Sequence, residues 1–204
     1  MVRVLINKFI HLFEVRRIKT NGRTVYLTFD DGPEPDIIEF VLEELSKYGF
    51  KATFFCRGDN AEKYPELLSL IKKEEHAIGN HTYSHLNGLN TPSSSYVKDV
   101  IKANSFLSTN LFRPPRGCLR ISSFLKISLG LKMKVIHWSL SSGDYDLDAF
   151  DLQKSINILI KNTTPGDVVL FHSCKRHEKE TKLLLPQYLR WLKEQKYNSI
   201  QIKV

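Results

Sequence analysis

The sequence predicts an α/β fold: a distorted barrel of seven β/α units in a single domain. Three observations predict it. Short apolar runs alternate with longer amphipathic stretches about seven times along the 204 residues, the pattern of a parallel sheet or barrel. No linker, internal repeat or low-complexity segment interrupts that alternation. An eight-stranded barrel usually takes ~250 residues, so a smaller or distorted barrel is expected, with an open doubly wound sheet as the alternative.

The elements follow in order. Val25–Phe29 is a buried strand ended by a charged, Gly-Pro-marked turn, and 37–48 carries Ile38, Val41, Leu42 and Leu45 at helical spacing with Gly49 as the stop. Residues 52–56 form a second strand, 65–73 a helix, 77–79 a short strand and 97–107 another helix. A brief apolar piece at 111–112, a helix near 122–129 and a strand over 134–138 come next. The chain ends with a helix at 152–160, a strand at 167–171, a helix at 181–193 and a last strand at 199–202.

Composition narrows the function classes. Hydrophobic residues at 42% and charged residues at 25% are ordinary for a globular chain and exclude a disordered or fibrous one. The net charge of +8 first suggests a polyanionic partner, but residues 1–24 hold six basic side chains against Glu14, a net +5. The remaining residues carry 24 basic and 21 acidic side chains, only +3, so no nucleic-acid partner is expected. Residues 1–22 read as a basic amphipathic segment ahead of a domain spanning 23–204, with Leu5, Ile6, Phe9, Leu12 and Phe13 at helical spacing. Packing over the closed end of the barrel is the preferred role for that stripe, and peripheral membrane contact through residues 1–20 is the other. Cys56, Cys118 and Cys174 are odd in number and widely spaced, neither a disulfide framework nor a zinc-finger pattern. No stretch reaches the ~20 apolar residues of a membrane span and no cleavable leader is evident. The expectation is therefore a cytoplasmic or inner-membrane-surface monomer, with export left open.

Titratable groups gather after the carboxyl ends of five strands, the face on which parallel α/β architectures build active sites. These are Asp30-Asp31-Gly32-Pro33, Asn80-His81-Thr82-Tyr83-Ser84-His85, Arg113-Pro114-Pro115-Arg116-Gly117, the stretch ending in Asp144, and His172-Ser173. Adjacent carboxylates point in different directions, so Asp30 and Asp31 can divide between ligating a cation and staying free beside it. A turn alone also explains the Asp-Gly-Pro stretch. His81 and His85, if helical, share a face. With one carboxylate they leave coordination positions open, as a catalytic zinc requires. His172 ends an apolar run and is placed to protonate a leaving group. Arg113 can orient a carboxylate and Asp144 can do the same for His172, although surface pairing explains either. His11, His76, His137 and His177 are assigned to surface or core.

Together these residues resemble the polysaccharide deacetylase family (carbohydrate esterase family 4, the NodB homology domain), whose five motifs occur in order over residues 28–173. The resemblance implies a distorted barrel of about seven units and a metal-dependent hydrolase that removes N-acetyl groups from an N-acetylated glycan. It implies Asp30 as the catalytic base, Asp31, His81 and His85 as metal ligands, and Arg113 as the holder of the base. Asp144 matches the residue that tunes the acid, His172 that acid, and Leu170 and Tyr145 positions lining an acetyl-methyl pocket. The cation implied is zinc, with Co2+, Ni2+ or Mn2+ as alternatives. Arg116 stands where Tyr is usual, which leaves its backbone donor intact and shifts the expected substrate toward an acidic glycan, as do Lys175 and Arg176. An O-acetyl esterase or small-amide hydrolase with the same site, and a non-catalytic glycan-binding module, are the competing readings.

Overall fold

The computed structural model describes residues 15–203, so the helical stripe expected over residues 5–13 lies outside the described residues. The strands are β1 (Thr24–Asp30), β2 (Ala52–Cys56), β3 (Ala77–Asn80), β4 (Leu111–Phe112), β5 (Lys134–Val135), β6 (Leu140–Ser141), β7 (Val168–His172) and β8 (Asn198–Ser199). The helices are α1 (Ile37–Tyr48), α2 (Gly58–Lys63), α3 (Pro65–Lys73), α4 (Ser93–Leu107), α5 (Ile121–Leu125), α6 (Leu152–Asn162) and α7 (Glu178–Glu194). Every strand pair is parallel, in the order β5-β4-β3-β2-β1-β7-β6, and β8 pairs with the start of β1. Among the described residues β5 and β6 do not pair, so the sheet curls into an incompletely closed barrel.

Residues 15–18 lie in that seam. Val15 N–H donates to the Val135 carbonyl at 3.0 Å and its own carbonyl accepts from His137 N–H at 2.8 Å. Ile18 N–H reaches the Gly166 carbonyl at 2.9 Å, and Arg17 pairs with Asp167 at 2.7 Å. A Cβ on Gly166 would sit 2.4 Å from the Ile18 carbonyl oxygen, and its φ is +89°, so glycine is required there on both counts.

Alternation along the strands explains how the site is positioned. On β1, Val25, Leu27 and Phe29 face outward into the main apolar core with Ile38, Val41, Leu184 and Tyr188 of the covering helices. Tyr26 faces inward with Phe55, Ile136, Val168 and Ile202 and plugs the barrel. Thr28 and Asp30 continue that inward column toward the carboxyl end. β7 repeats the arrangement, with Val169 and Phe171 outward and Val168, Leu170 and His172 inward. An apolar plug at one end and polar side chains at the other therefore follow from a period of two.

Helix boundaries are set by ordinary chemistry. Gly49 adopts φ +68° and donates its N–H to the Leu45 and Ser46 carbonyls of α1, a left-handed C-cap. Asp151 caps α6 by accepting from Lys154 N–H at 2.8 Å, and Pro65 opens α3 at a position needing no donor. Strand 134–138 is shorter than expected: the chain leaves the ladder at residue 136 to carry backbone carbonyls to Arg113, then re-enters it as β6. The last strand is two residues, Asn198–Ser199, rather than 199–202.

Candidate active site

Five of the strand-end segments meet in one cleft of about 620 Å³, a size suited to a small-molecule moiety or one sugar of a chain. Asp30, the last residue of β1, is 3% exposed. Its Oδ1 accepts from Arg113 Nη1 at 2.7 Å, and its main-chain carbonyl accepts from Ser173 N–H at 2.8 Å. Arg113 is wholly buried. It also donates to Thr28 Oγ1 at 2.8 Å, the His137 carbonyl at 2.9 Å and the Ile136 carbonyl at 3.2 Å. The ring of Phe55 lies 4.1 Å from its guanidinium carbon. A guanidinium so fully spanned has no rotamer freedom left, and the carboxylate it holds is fixed with it.

Asp31 adopts φ +73°, which turns its carboxylate away from that of Asp30. Its Oδ1 lies 3.6 Å from His81 Nε2 and 3.2 Å from His85 Nε2. His81 Nδ1 is 2.9 Å from the Arg113 carbonyl. That contact places the proton on Nδ1 and leaves the Nε2 lone pair facing Asp31. Arg113 therefore orients the Asp30 carboxylate with its side chain and the His81 imidazole with its backbone. Burial holds His81 below the usual imidazole range despite Asp30 and Asp31. Burial pushes the Asp31 carboxyl up, but His85, His81 and His172 outweigh it and hold the group well below its ordinary value.

Asp31 Oδ1 is buried without a hydrogen-bond partner, an orphan that a buried carboxylate oxygen does not normally tolerate. One carboxylate oxygen and two imidazole nitrogens within 4.8 Å of one another fit a divalent cation, and they leave further coordination positions open. The route to this set differs from the helical face expected for 81–85. The segment is a loop, with Thr82 at φ +65° and His85 at φ +55°. Two left-handed residues turn the chain so that both rings face Asp31, 5.2 Å apart between centroids.

Across the cleft, His172 Nδ1 lies 2.8 Å from Asp144 Oδ1. Asp144 is fully buried, and its Oδ2 accepts from His172 N–H at 2.8 Å and Thr181 Oγ1 at 3.0 Å. Burial lowers the imidazole's proton affinity, but the Asp144 charge and hydrogen bond outweigh it and raise its pKa to about 9. At neutral pH the ring is protonated, with Nε2 left for the cleft. Tyr145 presents its ring to His172 at 6.2 Å, and Leu170 lines the floor below. Arg116 sits at φ +60° in the turn Pro115–Gly117 with its side chain on the cleft wall.

Each site residue expected from the sequence lines the cleft or touches one that does. Sequence reasoning missed Trp138, Arg57, Glu34, Cys174 and His177 of the lining. His177, assigned to surface or core, is buried, and it also lines the cleft with its ring tilted against that of His172, 4.8 Å between centroids. Its signal was position, since residues 174–177 continue the loop that His172 begins. Trp138 carries another: a Cβ on Gly117 would meet its indole at 2.8 Å, so the RPPRG turn needs glycine to lie against that wall.

Residues 17–134 match the family model described as polysaccharide deacetylase. A peptidoglycan-N-acetylglucosamine deacetylase of Bacillus cereus is 30% identical over 91% of this chain and 89% of its own length. A second one from the same organism is 35% identical over 75% of this chain, and the match spans 57% of that relative's length. The crystal structure of a peptidoglycan N-acetylglucosamine deacetylase in complex with 4-naphthalen-1-yl-N-oxidanyl-benzamide superposes with a TM-score of 0.86 at 28% identity, covering 96% of this chain and 94% of that one.

Proposed function

Since this chain belongs to the polysaccharide deacetylase family, we propose that it is a metal-dependent hydrolase that removes N-acetyl groups from N-acetylglucosamine-containing oligo- or polysaccharide. The observation that carries the reading is the meeting, in one cleft, of an Arg-held carboxylate, an Asp-His-His donor set and an Asp-held imidazole.

Asp31, His81 and His85 would hold the divalent cation, and zinc is the ion that such a set with open positions suits. When bound, the cation supplies Lewis acidity to the acetamide carbonyl and to water. With Oδ1 committed to Arg113, Asp30 keeps Oδ2 for the cleft, 3.8 Å from His81 Nε2. That oxygen takes the proton as water attacks the carbonyl. The main-chain N–H of Arg116 is the donor for the resulting oxyanion. His172 Nε2 gives its proton to the departing nitrogen as the C–N bond breaks, yielding the free amine and acetate. Asp144 stabilises the imidazolium, and Leu170 and Tyr145 flank the acetyl methyl. Arg116 and Arg176 on the cleft wall favour a glycan bearing carboxylates.

Acetate release from N-acetylglucosamine oligomers and from peptidoglycan, measured beside acetylxylan, tests the assignment. The zinc-loaded protein is expected to release acetate from the amides and to stop on chelation. Release from acetylxylan alone would make it an esterase, and no release from any of the three would remove the enzymatic reading.

A further inference from the structure

The face of Asp31 turned away from His81 and His85 is also occupied by ligating atoms. Cys174 Sγ lies 4.0 Å from Asp31 Oδ2. One ring nitrogen of His177 completes a second set, Asp31-Cys174-His177, whose donor atoms all lie within 4.8 Å of one another. His177 is only 7% exposed, and its Nδ1 is buried without a hydrogen-bond partner. Burial and Asp31 push the Cys174 thiol up to about 12, although it accepts hydrogen bonds from the backbone N–H groups of Arg176 and His177. A buried thiol, a buried imidazole whose Nδ1 makes no hydrogen bond and a carboxylate oxygen thus converge.

We propose that Asp31, Cys174 and His177 form a second cation site, selective for thiophilic divalent ions such as zinc, cobalt or cadmium, with Asp31 bridging it to the first. Bridging follows from the atoms used: Oδ1 faces the two histidines of the first set and Oδ2 faces Cys174. Two ions sharing a carboxylate in this way lie roughly 3.5–4 Å apart in two-metal enzymes. Binding replaces the S–H bond by an S–metal bond and releases that proton to solvent. The ion must displace the thiol proton, so affinity at this site rises with pH. Zinc bonds of about 2.0–2.3 Å put tetrahedral donors roughly 3.5 Å apart, so Cys174 Sγ, now 4.0 Å from Asp31 Oδ2, has to close by roughly half an ångström, a shift that side-chain torsions on the Cys174–His177 loop can supply. The preference for thiophilic ions comes from the sulfur, which separates this site from the all-N/O first set.

The proposal rests on the preceding reading only in sharing Asp31, and its test needs no turnover. Apo full-length protein is titrated with Co2+ while the near-ultraviolet thiolate-to-cobalt charge-transfer absorption is followed. Two equivalents are expected to bind, with the charge-transfer band rising with the site that contains Cys174. The band should persist in the double variant His81→Ala/His85→Ala, disappear in Cys174→Ser, and be unchanged in Cys118→Ser. Absence of the band from the wild-type protein, or its persistence in Cys174→Ser, overturns the proposal whatever the folding of the other variants. Failure of acetate release with the band intact would strike the deacetylase reading alone.

Discussion

At the scale of single residues, Asp144 controls when the site can work. Its charge sets the His172 pKa to about 9, and His172 must be protonated to serve as the acid. Activity should therefore fall as pH rises through about 9. In Asp144→Asn the carboxylate that outweighs burial is gone, so the alkaline limb of kcat/KM should move down toward or below pH 6.5, the ordinary imidazole value. An unmoved limb in that variant would show that His172 is not the titrating acid. Asp30 has a complementary test. Replacement by Asn keeps an acceptor for Arg113 but removes the base, so turnover should drop by roughly 10²–10⁴ while Co2+ affinity stays within a few-fold. Coordinated loss of metal binding would assign Asp30 to the ligand set instead.

At the scale of elements, residues 15–18 hold a seam that no strand pair closes. The pairing of Arg17 with Asp167 is unequal. Arg17 is 55% exposed at its side chain and Asp167 1%, and Asp167 also accepts from Ser139 Oγ at 2.6 Å and Thr164 N–H at 2.7 Å. Arg17→Ala removes one half-solvated partner and should cost under about 1 kcal/mol. Asp167→Ala removes a buried carboxylate on which Arg17, Ser139 and Thr164 all converge and should cost more, about 2 kcal/mol. Urea denaturation of both variants checks the ranking; equal losses would mean that the ion pair rather than the buried network holds the seam. Elements buried on both faces, such as β1, β2 and β7, were legible as apolar runs, and the amphipathic α1 and α6 as periodic ones. The short polar helix α2, sequence Gly58–Lys63, has no apolar period to read and opens on glycine. It exists because Gly58 N–H reaches the Thr82 carbonyl at 2.9 Å and because only glycine fits there, a Cβ on residue 58 being 2.7 Å from Ala103 Cα. The approach of His81 to His85 was legible as two ligand-type residues, but not as the left-handed loop that brings them together. Tertiary contact dictates that loop, and local spacing does not encode it. His177 was missed for the same reason, since its role depends on what lies across the cleft.

At the scale of the whole molecule, buried histidines inside and outside the site shape stability against pH, in opposite senses on the two sides of pH 6.5. His172 in the metal-free protein has a folded pKa of about 9 against 6.5 unfolded. Its contribution is fully present below pH 6.5 and is lost as pH rises to about 9. His76 is buried and accepts from Ala52 N–H at 3.0 Å on Nδ1. Burial, with a smaller effect from Lys51, lowers its pKa to about 4. The unfolded chain therefore takes up that proton first, and stability falls as pH drops from 6.5 to about 4. His81 and His177 are lowered by burial as well and act in the same direction. Asp31 and Asp144 are held low, so their contributions are lost only below the ordinary carboxylate range, outside this interval. The metal-free protein should thus be most stable near pH 6.5. Each limb is worth on the order of 2 kcal/mol after solvent screening, or several degrees in Tm. His76→Asn keeps an acceptor for Ala52 N–H without an ionisable ring and should make the acid limb shallower, whereas Asp144→Asn should flatten the alkaline limb without making the acid one shallower. A Tm profile between pH 4 and 9 that is flat in the wild type, or whose limbs respond to the opposite variants, would break the link between these two buried rings and the stability of the fold.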